Sequence, residues 1–224
     1  YARRYSAEGT PLGDEFQVNT ETAANQYALS AAMNASGEFV IVWHDYDYAD
    51  GLWHVRAQRY DAGGAPAGGS LDVGAHNYVD YADVDMADDG SFALSWYGDG
   101  EVYARQYGSD GLPSAGAFQV NTFTEGTQSY PSVNVDSTDH FTVAWTSYDQ
   151  DGDGSGVYAQ AYGADGTPAG SEFRVNEYTD GSQWRPAIDA DGFGNLKIVW
   201  AGDGPDGTHD IYGARLSPGG QWVT

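Results

Sequence analysis

The sequence predicts an all-β chain, a β-propeller of four to five blades built from four-stranded antiparallel repeats. Three recurring words predict it. An alternating apolar run ending in tryptophan appears as Phe39-Val40-Ile41-Val42-Trp43, Phe92-Ala93-Leu94-Ser95-Trp96, Phe141-Thr142-Val143-Ala144-Trp145 and Leu196-Lys197-Ile198-Val199-Trp200. A second word follows the pattern of Tyr103-Ala104-Arg105-Gln106-Tyr107 and recurs at 1–5, 56–60, 158–162 and 212–216. The third is Glu15-Phe16-Gln17-Val18-Asn19, echoed at 70–74, 117–121 and 172–176. Repeats of this length are units that cannot bury an apolar face alone and must stack on one another.

Each repeat reads as four short strands, because alternation with a period of two dominates and no amphipathic helical stretch of useful length appears. Strand A covers 27–34, 81–87, 131–136 and 186–190; B is the Trp-ended run, C the second word and D the third. The A–B links are Asn/Asp/Gly turns: Ala35-Ser36-Gly37, Asp88-Asp89-Gly90 and Asp191-Gly192. The C–D links repeat a Gly-x-Pro turn, as in Ala62-Gly63-Gly64-Ala65-Pro66 and Ser109-Asp110-Gly111-Leu112-Pro113. Both use residues with a turn-forming mechanism. The chain therefore divides as one repeat domain, 1–224, with a partial unit at 1–26 and repeats at 27–80, 81–130, 131–185 and 186–224. A short last D strand is expected at Gln221 to Thr224. Five C words stand against four A and four B words, which leaves blade number and closure open. A β-sandwich array and a solenoid are the alternative arrangements.

Charge narrows the partners. There are 33 acidic and 9 basic residues, a net charge of −24 with histidine neutral. Such a surface repels phosphate backbones and anionic lipids, so neither nucleic acid nor membrane insertion is expected. It attracts cations. No cysteine is present, so no disulfide framework exists. Residue 1 falls inside a repeat word, and the chain reads as cut from something longer.

The segments Gln128-Ser129-Tyr130-Pro131-Ser132-Val133, Phe141 to Ser147, Asp149 to Gln160 and Glu172-Phe173-Arg174-Val175-Asn176 resemble repeats of very large secreted bacterial proteins of the repeats-in-toxin and adhesin type. The resemblance covers essentially the whole chain and is weakest around Ser70 to Asp99. It implies export, an extracellular or cell-surface location, calcium and an adhesive role. It carries over no catalytic residue.

The acidic B–C loops are the candidate metal sites. Asp149-x-Asp151-x-Asp153-Gly154 places carboxylates at alternate positions before a glycine, a donor set suited to calcium. Asp45, Asp47 and Asp50 form a looser version, and Asp203, Asp206 and Asp210 another. Ordinary solvated turns would use the same residues. The histidines show no metal-ligand spacing, although His44 and His54 flank one acidic loop. The arginines of the C words are expected to pair with carboxylates or stack on tyrosines. The B-strand tryptophans read as packing between neighbouring blades. Trp53, Trp184 and Trp222 do not repeat, and Trp53 and Trp184, with Tyr130 and Tyr178, are the candidate ligand-binding aromatics. The B–C and D–A links emerge on one face of the blades, where a binding surface is expected.

From the residues together with what the resemblance implies, the chain reads as an extracellular, non-catalytic binding or adhesion module with calcium-stabilised loops, contacting carbohydrate or an extracellular protein, and not as an enzyme. The alternatives are a structural subunit that self-associates into a layer, sheath or filament, and a glycosidase-like propeller enzyme. The last requires a deep central pocket with two carboxylates.

Overall fold

The computed structural model describes residues 1–22, 24–191 and 194–217. Four antiparallel sheets follow one another along the chain, each with strands in sequential order. The first contains β1 (Gln26–Met33), β2 (Phe39–Asp47), β3 (Leu52–Tyr60) and β4 (Leu71–His76). The second contains β5 (Val79–Met86), β6 (Phe92–Gly98), β7 (Glu101–Tyr107) and β8 (Phe118–Gln119). The third contains β9 (Gln128–Val135), β10 (Phe141–Tyr148), β11 (Ser155–Tyr162) and β12 (Phe173–Arg174). The fourth contains β13 (Gln183–Ala190), β14 (Leu196–Asp203) and β15 (His209–Leu216). The D strand expected at Gln221 to Thr224, Trp222 and Gly192 of the last A–B turn lie outside the described residues. Ahead of the first sheet, the first C and D words pair as a hairpin. Ala2 and Phe16 exchange two backbone hydrogen bonds of 2.9 Å, and Tyr5 bridges to Pro11.

Blade stacking builds the core. In a strand of period two, Phe92, Leu94 and Trp96 leave one face of β6 together while Ala93 and Ser95 leave the other. The first set packs back onto the preceding blade, where Trp96 joins Val40, Val42, Val55 and Val73. Trp145 joins Ala93, Val102 and Val120 in the same way, and Trp200 joins Ala144, Val157 and Val175. Phe39, Ile41 and Tyr60 pack against Ala2, Phe16 and Val18 of the N-terminal hairpin, which is therefore a fifth radial unit. Between the first and second sheets Gly74 makes room for Trp96, because a Cβ there would lie 2.8 Å from the Trp96 ring.

The C-word arginines tie neighbouring units through backbone carbonyls more than through carboxylates. Arg4 donates to the Ala62 carbonyl at 2.5 Å and Arg59 to that of Ser109 at 2.6 Å. Arg105 reaches the Val73 carbonyl at 3.0 Å and lies over the Tyr107 ring. Arg56 and Arg215 hold carboxylates, those of Asp45 at 3.1 Å and Asp191 at 3.2 Å. The turn carbonyls present fixed acceptors there, whereas the nearby turn aspartates bond their own backbone.

Strand A is the inner strand, with β1 beside β5, β5 beside β9 and β9 beside β13. It begins earlier than its alternation suggests, at Gln26, Val79, Gln128 and Gln183. A β-bulge breaks the period in every copy, between Ala28 and Ser30, between Asp80 and Asp83, between Ser129 and Ser132, and between Trp184 and Ala187. Tyr81, Tyr130 and Arg185 occupy the bulges with φ of 47°, 52° and 53°. A non-glycine residue in this region is uncommon, and bulges are devices that re-aim side chains. This irregularity hid the first part of each A strand from a period-two reading.

Candidate functional site

The bulges build the site at the propeller axis. Asp80 pairs with Tyr97 and Asp83 with Ser95. Tyr97 and Ser95 are two residues apart and share a face, so their partners share one too, although Asp80 and Asp83 are three apart. In a regular strand, residues three apart would point to opposite faces. Asp83 borders an axial cavity of about 450 Å3 that is also lined by Ser30, Tyr81, Tyr130, Ser132 and Arg185.

Three hydrogen bonds from two neighbouring strands anchor the Asp83 carboxylate. Ser30 of β1 donates to Oδ1 at 2.8 Å, while the Ser132 hydroxyl and Val133 amide of β9 donate to Oδ2 at 3.0 and 3.1 Å. Asp80 accepts from the Tyr81 amide at 2.9 Å and the Tyr78 hydroxyl at 3.2 Å. Its charge acts on both axial phenols, disfavouring their ionisation. Tyr81 and Tyr130 meet with ring centroids 4.3 Å apart and hydroxyls 3.4 Å apart. The shared hydrogen bond, followed by burial, pushes Tyr81 up to about 12. Tyr130 is lowered, first by that bond and then by the Arg185 guanidinium, which lies 4.8 Å from its ring centroid.

Tyr130 and Arg185 also line a second cavity of about 400 Å3 with Tyr148, Trp184, Asp203 and His209. Trp184 stands edge-on to His209, centroids 5.2 Å apart, and His209 Nε2 lies 2.9 Å from Asp203. Two of the candidate aromatics, Tyr130 and Trp184, are thus brought together. Trp53 is not with them: it packs half-buried against His44, Tyr46 and Tyr27 in the first sheet. Tyr178 lines neither cavity.

The acidic positions separate in the structure. Asp149 takes a φ of 64°, and its amide donates to the Gly154 carbonyl at 2.7 Å. Asp151 turns inward to accept from Asn176 at 3.3 Å, while Asp153 accepts from the Gly181 amide at 3.0 Å. Asp45 lies within β2, not in a loop, and is buried, held by Arg56 at 3.1 Å and Gln26 at 3.3 Å. Asp203 accepts from the Ser182 amide at 2.7 Å, and Asp206 closes its own turn with Thr208. Among the described residues, one set of three donors converges within 4.8 Å: Asp47, Asp50 and His54. Its two oxygens suit calcium, whereas its imidazole nitrogen suits a softer divalent ion. His54 is held between Asp50 Oδ2 at 2.9 Å and Asp72 Oδ2 at 3.1 Å. Burial opposes its charge, but these hydrogen bonds outweigh burial and raise its pKa.

Reading the sequence as words found Tyr130 but missed the other axial residues, Tyr81, Asp83 and Arg185. The signal lay in aligning the inner strands: Tyr81-Ala82-Asp83-Val84-Asp85, Tyr130-Pro131-Ser132-Val133-Asn134 and Arg185-Pro186-Ala187-Ile188-Asp189. One copy carries aspartate where another has serine, and one carries arginine where two have tyrosine. The asparagine of the D word is structural. Asn121 accepts from the Val102 amide at 2.9 Å, and Asn176 from that of Val157 at 2.8 Å, while each donates to a carbonyl two residues on.

No family model matches the chain, and no curated protein matches it. Solved structures do. A protein of unknown function from Dyadobacter fermentans DSM 18053 is 12% identical with a TM-score of 0.60, over 88% of this chain and 67% of that one. An α-L-arabinanase from Penicillium chrysogenum, solved with arabinobiose, is 12% identical with a TM-score of 0.54. The match covers 84% of this chain and 62% of the arabinanase. The fold is a β-propeller.

This likeness is one of fold, and it corrects the functional expectation. The sequence reading took the scaffold for a non-catalytic adhesion module and kept a glycosidase-like enzyme only as a second alternative, because no carboxylate stood out. The same scaffold carries a glycan hydrolase in the arabinanase, and here the axis holds a cavity with a singular, anchored carboxylate that repeat counting had averaged away.

Proposed function

We propose that this propeller is a glycosidase-type enzyme that binds an oligosaccharide across its axial cavity. The observation that carries the proposal is the bulge in β5, which sets Asp80 on the same face of the strand as Asp83, the carboxylate that lines the cavity. Glycoside hydrolysis needs two carboxyl groups flanking one bond, with their separation deciding the stereochemistry. Asp83, held by three donors, is the carboxylate fixed in position at the cavity. Asp80 is the second carboxyl group, and Tyr81, Tyr130 and Trp184 supply aromatic faces for sugar rings. The solved arabinanase of this fold, with its bound arabinobiose, supports a carbohydrate substrate.

The test is release of reducing ends from arabinan, xylan and pectin by the parent chain and by D83N and D80N, with melting followed in parallel. Release by the parent, lost in folded D83N and D80N, is expected. No release from any glycan, or release unchanged in both variants, overturns the proposal.

A divalent cation ordering the B–C loops, at an extracellular location, belongs to the same proposal. Asp47 and Asp50 are the oxygens that would hold it, and its role there is structural, away from the axis.

A further inference from the structure

The two cavities are one groove with an arginine at its waist. Tyr130 and Arg185 line both the axial cavity and the neighbouring one. The groove they form together is lined from Asp83 past Tyr130 and Arg185 to Trp184. Arg185 is its only arginine or lysine.

Arg185 differs from the other arginines in what it holds. Arg56 and Arg215 donate to carboxylates, and Arg59 and Arg105, among others, to backbone carbonyls. Among the described residues, Arg185 pairs with no carboxylate, although acidic residues outnumber basic ones 33 to 9. Its guanidinium lies over Tyr130 and meets that phenol. The side chain is exposed, and its backbone is pinned in the bulge with φ of 53° by a 3.0 Å hydrogen bond from its amide N–H to Thr146 Oγ1. Stacking on the ring orients the fork and leaves donors open toward the groove. A guanidinium fork so placed matches a carboxylate in a bidentate, planar geometry.

Resting on the glycosidase reading, we infer that the groove takes an acidic oligosaccharide, a uronic-acid-containing chain whose carboxylate seats on Arg185 between the axial cavity and Trp184. The net charge of −24 opposes any polyanion at long range. At physiological salt the screening length is about 8 Å, so the far carboxylates fade while the contact pair persists. Selection then operates on the unit seated at the waist rather than on the charge of the whole polymer.

The experiment is calorimetric titration with trigalacturonic acid, its methyl ester and arabinotriose, at 0.15 M salt, on the parent, R185Q and R185K, with product analysis of each mixture. The acid is expected to bind the parent at least tenfold tighter than the ester, R185Q to lose that preference, and R185K to keep part of it. Equal affinity for acid and ester on the parent, or binding of neither, overturns the inference without need of any variant. A preference unchanged in R185Q also overturns it. The enzyme reading fails separately: acid-selective binding with no glycan cleaved sinks hydrolysis and leaves the anion site standing, while cleavage of arabinotriose with no acid preference does the reverse.

Discussion

Ser132 donates its hydroxyl to Asp83 across two blades at 3.0 Å, and the pair links neighbouring inner strands at the axis. Asp83 also accepts from Ser30 and from the Val133 amide, so one carboxylate joins three blades. D83A strands these donors, and unpaired buried polar groups cost about 1–3 kcal/mol each. A fall in Tm is expected for D83A and a much smaller one for D83N, read by calorimetry. Glycan cleavage should drop by about 100-fold or more in both, the scale of a lost acid–base group.

Trp96 is fully buried between the first two blades, against Val40, Val42 and Val73. W96A removes this inter-blade knob and is expected to cost about 3–5 kcal/mol, in the range for large-to-small aromatic changes. W53A should cost clearly less, because Trp53 is only half-buried at the sheet end. Urea melts of the two variants check the order, and equal losses would contradict the blade-stacking account.

Asn121 bridges strands and link through three contacts: the Val102 amide, the Phe123 carbonyl and Glu101. N121A leaves a buried amide unpaired and is expected to destabilise by about 1–3 kcal/mol. N176A should behave alike, since Asn176 makes the corresponding bonds to Val157 and Tyr178. Asn19, with its side chain turned to the Glu21 carbonyl at the exposed hairpin, should tolerate alanine far better.

Asp85 lies two residues past Asp83 on β5, accepting from Asn134 at 2.9 Å and the Val135 amide at 2.8 Å. Burial raises its pKa, outweighing those bonds, and the charges of Asp83 and Asp189 add to the rise. The folded protein therefore holds this proton more tightly than the unfolded chain. That contribution to stability is fully present below the unfolded value of about 3.9 and is lost as pH rises through the folded one. D85N cannot ionise, so its Tm should gain on the parent as pH rises from 3 to 7. A constant difference across that range would show that Asp85 does not titrate between the two states.

Chelator and calcium test the loop proposal directly. A rise in Tm in millimolar calcium over chelator, reduced in D47N and D50N, is expected from native-state binding. An identical Tm in both conditions would leave those aspartates as solvated turn residues.

The repeat words by themselves determined the blade: its four strands, its turns and the burial of each B-strand tryptophan. Period-two alternation and turn chemistry act over a few residues and are written out four times, so they can be read without the rest of the chain. The site was decided only in three dimensions. Asp80 and Asp83 share a face because a bulge adds one residue, and alternation alone assigns them to opposite faces. Tyr81, Tyr130 and Arg185 meet because inner strands about 50 residues apart converge on one axis, a closeness that local pattern does not encode. The loop carboxylates, conversely, look grouped in sequence yet turn to separate partners, because Asp45 is drawn into a strand by Arg56 and Asp151 toward Asn176. Local periodicity sets which elements form, and packing around the axis sets which side chains face one another.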